Sequence, residues 1–222
     1  MIWVYAVILV IWGNVVNALI HPMLPGGDWS AVMWGASLAV ISLAFARLLN
    51  ERRAMLGIAR GDWRGIAIGA ALGLGGALAG ALILRIGPIV GPVQWNPVLT
   101  TTPEEIAAHM AFFLPVSVAI PEELAFRGIL LGGIWARRGR RVAIAGSAIT
   151  FALWHAWIIY YTLLQTNLAN GPLMLFAGLA GMAFVAVGGI VLALLRVRSG
   201  GLVAPILAHW AFDGFMLLGL WI

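Results

Sequence analysis

Apolar residues fill this chain in long blocks, and short polar stretches separate them. Six of the blocks run over about 2–20, 31–49, 65–86, 142–163, 173–195 and 202–221. Each is close to the ~20 residues that a helix needs to cross the hydrocarbon of a bilayer. A seventh block is longer. Thr102 is placed to cap it, Pro103 suits a first helical turn, and Glu104 and Glu105 favour the positive end of the helix dipole. That helix is predicted to reach about Trp135, with Pro115 and Pro121 inside it. Each proline removes one backbone hydrogen bond and invites a kink. Between the blocks, residues 21–27, which begin with His21, end the first helix, and residues 54–64 predict an interfacial segment with Arg60, Asp62, Trp63 and Arg64. Pro88, Pro92 and Pro97 predict an irregular loop, and a polar loop follows around residues 167–172. The pattern predicts an all-α fold, a polytopic transmembrane helical bundle of about seven spans, with one span a candidate re-entrant segment.

Composition agrees and narrows the chemistry. Of the 222 residues, 63% are hydrophobic and 9% charged, where a soluble domain would carry about a quarter charged residues. The chain is one bundle with no room for a second domain. There is no cysteine, so disulfides, thiolate metal sites and cysteine nucleophiles are excluded. All thirteen basic residues are arginine, which excludes lysine Schiff-base chemistry and the phosphate-binding lysine of a P-loop. The net charge of +5 is not a nucleic-acid footprint, because the arginines sit in short loops between apolar blocks. The first twenty residues lack a basic leader and a small-residue cleavage site, and read as a retained helix.

The arginines also orient the bundle. With the N-terminus cytoplasmic, the loops between helices two and three, four and five, and six and seven are inside, and they hold eleven of the thirteen. The other two are Arg85 and Arg127. Glycines at 57, 61, 65, 69 and 73, followed by Gly76 and Gly80, predict a close-packing stripe on the third helix from Gly65 onward.

Three stretches depart from apolar scaffold: residues 121–127, which include Glu122, Glu123 and Arg127; residues 151–155, which end in His155; and residues 209–213, which run from His209 to Asp213. A charged side chain in hydrocarbon costs at least ~2.5–3.5 kcal/mol on insertion scales. Adjacent glutamates there imply a partner, a wet cavity, or both. Counted along their helices from the arginine side, Glu122, His155, Asp213 and His209 lie ~22, ~20, ~16 and ~10 Å deep. Glu123 and Arg127 are four residues apart and form the natural intrahelical ion pair; His209 and Asp213, and Phe151 and His155, each share a face in the same way. Glu122 is rotated about 100° from Glu123 and is expected to point towards His155 and His209. Glu123, Arg127 and Phe151 then read as structural support, and Glu122 as the acid left for chemistry. His21 and His109 lie near the outer side, and their plain reading is structural.

Glu-Glu-x-x-x-Arg at 122–127, Phe-x-x-x-His at 151–155 and His-x-x-x-Asp at 209–213, each on its own membrane helix, resemble the motifs of the CPBP family. These are the CAAX-type prenyl endopeptidases and their bacterial relatives, also called Abi proteins. The resemblance covers about residues 104–222, the implied catalytic core of helices four to seven, and leaves residues 1–103 as a scaffold of three helices. It implies intramembrane proteolysis of a glutamic type, acting on a membrane-anchored protein or peptide: CAAX-type tails, or the peptides that bacterial relatives process. By motif position Glu122 would be the base that activates water, His155 would orient it, and His209 and residue 213 would stabilise the oxyanion.

Residue 213 is Asp where some relatives have Asn. An ionised carboxylate cannot donate to an oxyanion, so Asp213 must be protonated, orient His209, or ligate a metal. Zinc held by Glu122, His155, His209 and Asp213 is therefore the alternative to a cofactor-free site. The absence of His-Glu-x-x-His favours the metal-free form. The same cluster would also suit a transporter or proton-relay protein, against which no inverted repeat is visible. A silent scaffold member would have lost a motif residue, and none is lost. The arginine-only, alanine- and glycine-rich composition points to a bacterial cytoplasmic membrane. Nothing in the sequence sets the oligomeric state.

Overall fold

A computed structural model describes residues 1–20, 28–50, 56–57, 62–86, 92–95, 101–169 and 171–221. His21, Arg52, Arg53, Arg60, Gly61, Pro88, Pro97 and most of the expected interfacial segment lie outside these residues. The described chain is almost entirely helical, apart from short connections and one isolated bridge between Trp95 and Thr166. Helix α1 is Ile2–Val15, continued by a π-helical turn at Val16–Ile20. Helix α2 is Asp28–Leu48 and α3 is Trp63–Ile86. Helix α4 is composite and occupies residues 103–138. Then come α5 (Arg140–Trp154), α6 (Ala156–Leu164), α7 (Leu173–Ser199) and α8 (Val203–Trp221).

Six stretches are long and apolar enough to cross a membrane, with α5 and α6 counting together as one. Helix α4 supplies the seventh crossing, and its irregularity follows from its prolines. It starts on a complete capping box: the Thr102 hydroxyl accepts from the Glu105 N–H, and the Glu105 carboxylate accepts from the Thr102 N–H. Pro115 and Pro121 then cannot donate to the preceding turns. The helix widens into π turns at His109–Phe113, Pro115–Ala119 and Leu124–Leu130, a form frequent at functional sites. Glu122 and Glu123 sit in the short α-helical turn between the last two.

The arginine side of α4 is the centre of the molecule. Ala125, Phe126, Ile129, Leu130, Leu131 and Ile134 are completely buried among residues of α1, α2, α5 and α7. Large apolar side chains on the bundle's outside, such as Leu78 and Leu175, are exposed to where lipid would be. Helix α3 lies flat on α8 along its glycine stripe. A methyl group at Gly69 or Gly73 would run into the backbone carbonyl of Ala204 or Ala208, which is how small residues let two membrane helices touch.

One expected helix is broken. The single span predicted over 142–163 divides at His155, whose backbone (φ −87°, ψ 2°) is not helical. An unbroken helix would pair the Trp157 N–H with the Leu153 carbonyl. Here the Asn14 side chain of α1 takes both: its Oδ1 accepts from Trp157 N at 2.8 Å and its Nδ2 donates to Leu153 O at 2.9 Å. Insertion of a side chain into the helical ladder is a recognised cause of a kink.

Candidate active site

Helices α4, α5 and α8 bring Glu122, Glu123, Arg127, Phe151, His155, His209 and Asp213 together, as their matched depths predict. The cluster divides into two parts around α4. On one side the groups are fully packed, and among the described residues only Glu123 Oε2 and Arg127 Nε there lack a hydrogen-bond partner. Glu123 and Arg127 are fully buried, and Arg127 Nη1 donates to Glu123 Oε1 at 2.9 Å. Arg127 Nη2 reaches the Gly189 carbonyl of α7 at 3.4 Å. Its guanidinium carbon lies 4.1 Å from the centre of the Phe151 ring, a cation–π contact that gives Phe151 its supporting role. His209 Nδ1 also meets Glu123 Oε1, at 2.9 Å.

That last contact corrects one expectation. His209 faces Glu123, not Glu122. Spacing along α8 places His209 and Asp213 on one face, but the rotation of α8 against α4 decides which glutamate they meet. The other ring nitrogen, Nε2, faces Asp213 Oδ2 at 3.2 Å. His209 is thus held between two carboxylates, and Asp213 stands where it orients His209.

On the other side of α4 lies Glu122. It is buried, yet its Oε2 has no hydrogen-bond partner among the described residues. That oxygen lies 3.9 Å from His155 Nε2. The ring is oriented from behind, because Nδ1 is 2.7 Å from the Phe151 carbonyl, four residues earlier. A carbonyl only accepts, so Nδ1 donates to it, and in the neutral ring Nε2 then carries the lone pair, on the side of Glu122. The turn that aims His155 this way is the break created by Asn14.

Glu122, His155 and Asp213 line the inner end of a cavity of about 440 Å³, within the ~300–1,000 Å³ usual for ligand clefts. His109 lines the same cavity near its other end. It was expected to lie apart from the cluster; the cavity is tall enough to include both. A second cavity of about 300 Å³ lies between α3, α7 and α8, is lined largely by apolar side chains, shares His155 and Asp213 with the first, and also reaches His209. Spacing did not identify Asn14. Its one signal was an amide, shared with Asn17, within an apolar span.

A metal would need lone pairs converging on one point. Both nitrogens of His209 already face carboxylates, and no group of three or more acidic or histidine side chains among the described residues converges with metal-ligand geometry. The four-residue zinc set does not fit this arrangement.

The sequence pattern described as Rce1-like, type II CAAX prenyl endopeptidase, matches residues 104–215. That is half of the chain, and it spans all three motifs. No curated protein and no solved structure matches the chain. The chain belongs to the Rce1-like family of type II CAAX prenyl endopeptidases: it is a multi-pass membrane protease that acts on membrane-associated substrates.

Proposed function

We propose that the protein hydrolyses a peptide bond of a membrane-anchored protein or peptide with a water molecule activated by Glu122, and without a metal. The observation that carries this reading is the position of Glu122 Oε2, which has no hydrogen-bond partner among the described residues, beside His155 Nε2 at the inner end of the cavity of about 440 Å³; Glu123 Oε2 also lacks a partner there but does not line that cavity. A carboxylate left without donors in an apolar interior is costly as structure. It is well placed to accept a proton from water, whose second hydrogen the His155 lone pair orients. The hydroxide oxygen then bonds to the substrate carbonyl carbon, and the carbonyl becomes an oxyanion.

The donor for that oxyanion is His209 Nε2–H, which faces Asp213 at rest and is shared with the oxyanion as the oxyanion forms, while Glu123 holds Nδ1. Preorganised donors of this kind are among the largest catalytic terms in a water-poor site. Collapse of the intermediate breaks the C–N bond, and the proton on Glu122 passes to the leaving amine. The products are a free carboxyl and a free amino terminus, and Glu122 is regenerated. Residues 104–222 supply this core. The arginine-only composition supports a bacterial cytoplasmic membrane as its location.

The test is cleavage of a membrane-anchored peptide by purified protein, with and without a chelator, beside Glu122→Gln. Cleavage that survives the chelator and disappears in a folded Glu122→Gln protein is expected. A Glu122→Gln variant with near-wild-type turnover would show that Glu122 is not the base.

A further inference from the structure

We propose that a groove between α1 and α5 binds one anionic phospholipid, with its headgroup on Arg140 and Arg141 and an acyl chain along α5. The groove has a volume of about 480 Å³ and shares no lining residue with the two cavities at Glu122 and His209. Trp3 of α1 forms one wall, Val142, Ala145, Gly146 and Ile149 of α5 form the rest, and Arg141 stands at one end. The walls are open to the outside of the bundle, where Trp3, Val142 and Ile149 are all exposed.

The sequence builds this trough locally. Ala145 and Gly146 are small and lie between the larger side chains of Val142 and Ile149. Gly146 also lets α1 come close: a methyl group there would stand 3.1 Å from the Trp3 indole, inside the ~3.5–4.0 Å at which carbon atoms pack best. Thr150 lines the far end, and its hydroxyl donates to the Gly146 carbonyl at 2.7 Å, so the apolar wall is not interrupted by a free donor. From Arg141 to Thr150 is ~13 Å of helix. The hydrocarbon of a bilayer is ~30 Å thick, so the groove runs from headgroup level to about the midplane. That is the depth of one leaflet, and of one acyl chain. Trp3, in the first turn of α1, stands where tryptophan rings border the headgroups.

Charge selects the headgroup. By the order of the spans, the arginine side of the bundle carries eleven arginines against two acidic residues, Glu51 and Asp62. Between Glu123 and Asp213 the chain has no acidic residue at all. Arg137 is turned to the carbonyls of Gly133 and Leu49. Arg138, Arg140 and Arg141 are exposed and have no ion pair among the described residues. Basic clusters beside membrane helices attract anionic headgroups, and the attraction grows with each arginine. A zwitterionic headgroup carries its own cation beside the phosphate and leaves these arginines unbalanced; a net-negative one does not. A lipid held here braces α1 against α5, the two helices whose contact through Asn14 breaks the ladder at His155.

The test uses the purified full chain in detergent. Phosphatidylglycerol or phosphatidylcholine with the same acyl chains is added, and native mass spectrometry and thermal unfolding read the binding. Arg140→Gln/Arg141→Gln removes the headgroup contacts, and Ala145→Phe fills the trough. Arg64→Gln/Arg198→Gln is the control, because it removes the same charge from residues that do not line the groove. The expected result is one phosphatidylglycerol retained per chain, in preference to phosphatidylcholine, with a raised thermal midpoint. The groove pair should weaken that binding by roughly thirtyfold, and the control pair by less than about threefold. Ala145→Phe should abolish it. Equal retention of the two lipids by the wild-type protein, or retention of neither, overturns the proposal. So does a control pair that weakens binding as much as the groove pair, or an Ala145→Phe protein that still holds the lipid. Where a groove variant fails to fold, the wild-type comparison of the two lipids decides.

Discussion

Two neighbouring residues, Glu122 and Glu123, face two different regions of one molecule. Around Glu123 the protein is closed: a buried arginine, a buried histidine and the Phe151 ring meet on one carboxylate oxygen and its partners. Around Glu122 it is open: its Oε2 faces His155 Nε2 at 3.9 Å and the end of a cavity, whereas Glu123, whose Oε2 likewise lacks a hydrogen-bond partner among the described residues, lines neither cavity. The side chains are chemically identical. A step of one residue, about 100° around the helix, places one of them in a network that joins four helices, α4, α5, α7 and α8, and the other at the cavity. The polar groups of the closed side stabilise the arrangement, whereas those of the open side are poised to change partners.

The sharpest way to break that contrast is to neutralise each glutamate in turn. Glu122→Gln keeps the shape and loses the ability to accept a proton. General acid–base steps of this kind contribute ~10²–10⁴-fold, and activity should fall by at least that much with the folded yield intact. The closed side should respond in stability instead. Arg127→Ala leaves Glu123 buried without its guanidinium, and breaking a buried pair costs ~3–5 kcal/mol. Thermal unfolding in detergent should show Arg127→Ala well below Glu122→Gln. Equal midpoints for the two variants would mean that Glu123 and Arg127 do not form the structural pair.

The division was only partly legible in the sequence. The blocks of apolar residues carried the spans, because about twenty such residues in a row leave a helix few alternatives in lipid. Helix ends moved by a few residues: α7 runs on to Ser199 and α4 to Arg138, since the arginines there continue their helices before leaving the membrane. Four-residue spacing correctly paired Glu123 with Arg127 and His209 with Asp213, because it is a local property of one helix. It could not say that His209 would meet Glu123. That depends on how α8 is rotated against α4, and the glycine contacts of α3 on the same helix help to set it. The break at His155 was hidden for a similar reason. No proline or glycine marks it, and its cause, Asn14, lies 139 residues from the carbonyl it takes.

Asp213 stands between the two regions, and its substitution has the smallest expected effect. It touches His209 Nε2 at 3.2 Å and is about a third exposed, so it borders the cavities as well as the closed network. In the metal-free reading its work is to hold His209. An asparagine at 213 keeps an oxygen for the Nε2–H and adds an amide donor in nearly the same place. What is lost is the strength of a charged acceptor over a neutral one, about 1 kcal/mol, or roughly fivefold in rate. Asp213→Asn should therefore keep substantial activity. A zinc site would behave differently. The same change would remove an anionic ligand, and metal and activity would leave together. Turnover and metal content measured on the same preparations of wild type and Asp213→Asn separate the two. A modest loss of rate with no change in metal content keeps Asp213 as the support of His209. Stoichiometric zinc in the wild-type protein, lost along with activity in the variant, would sink the metal-free reading.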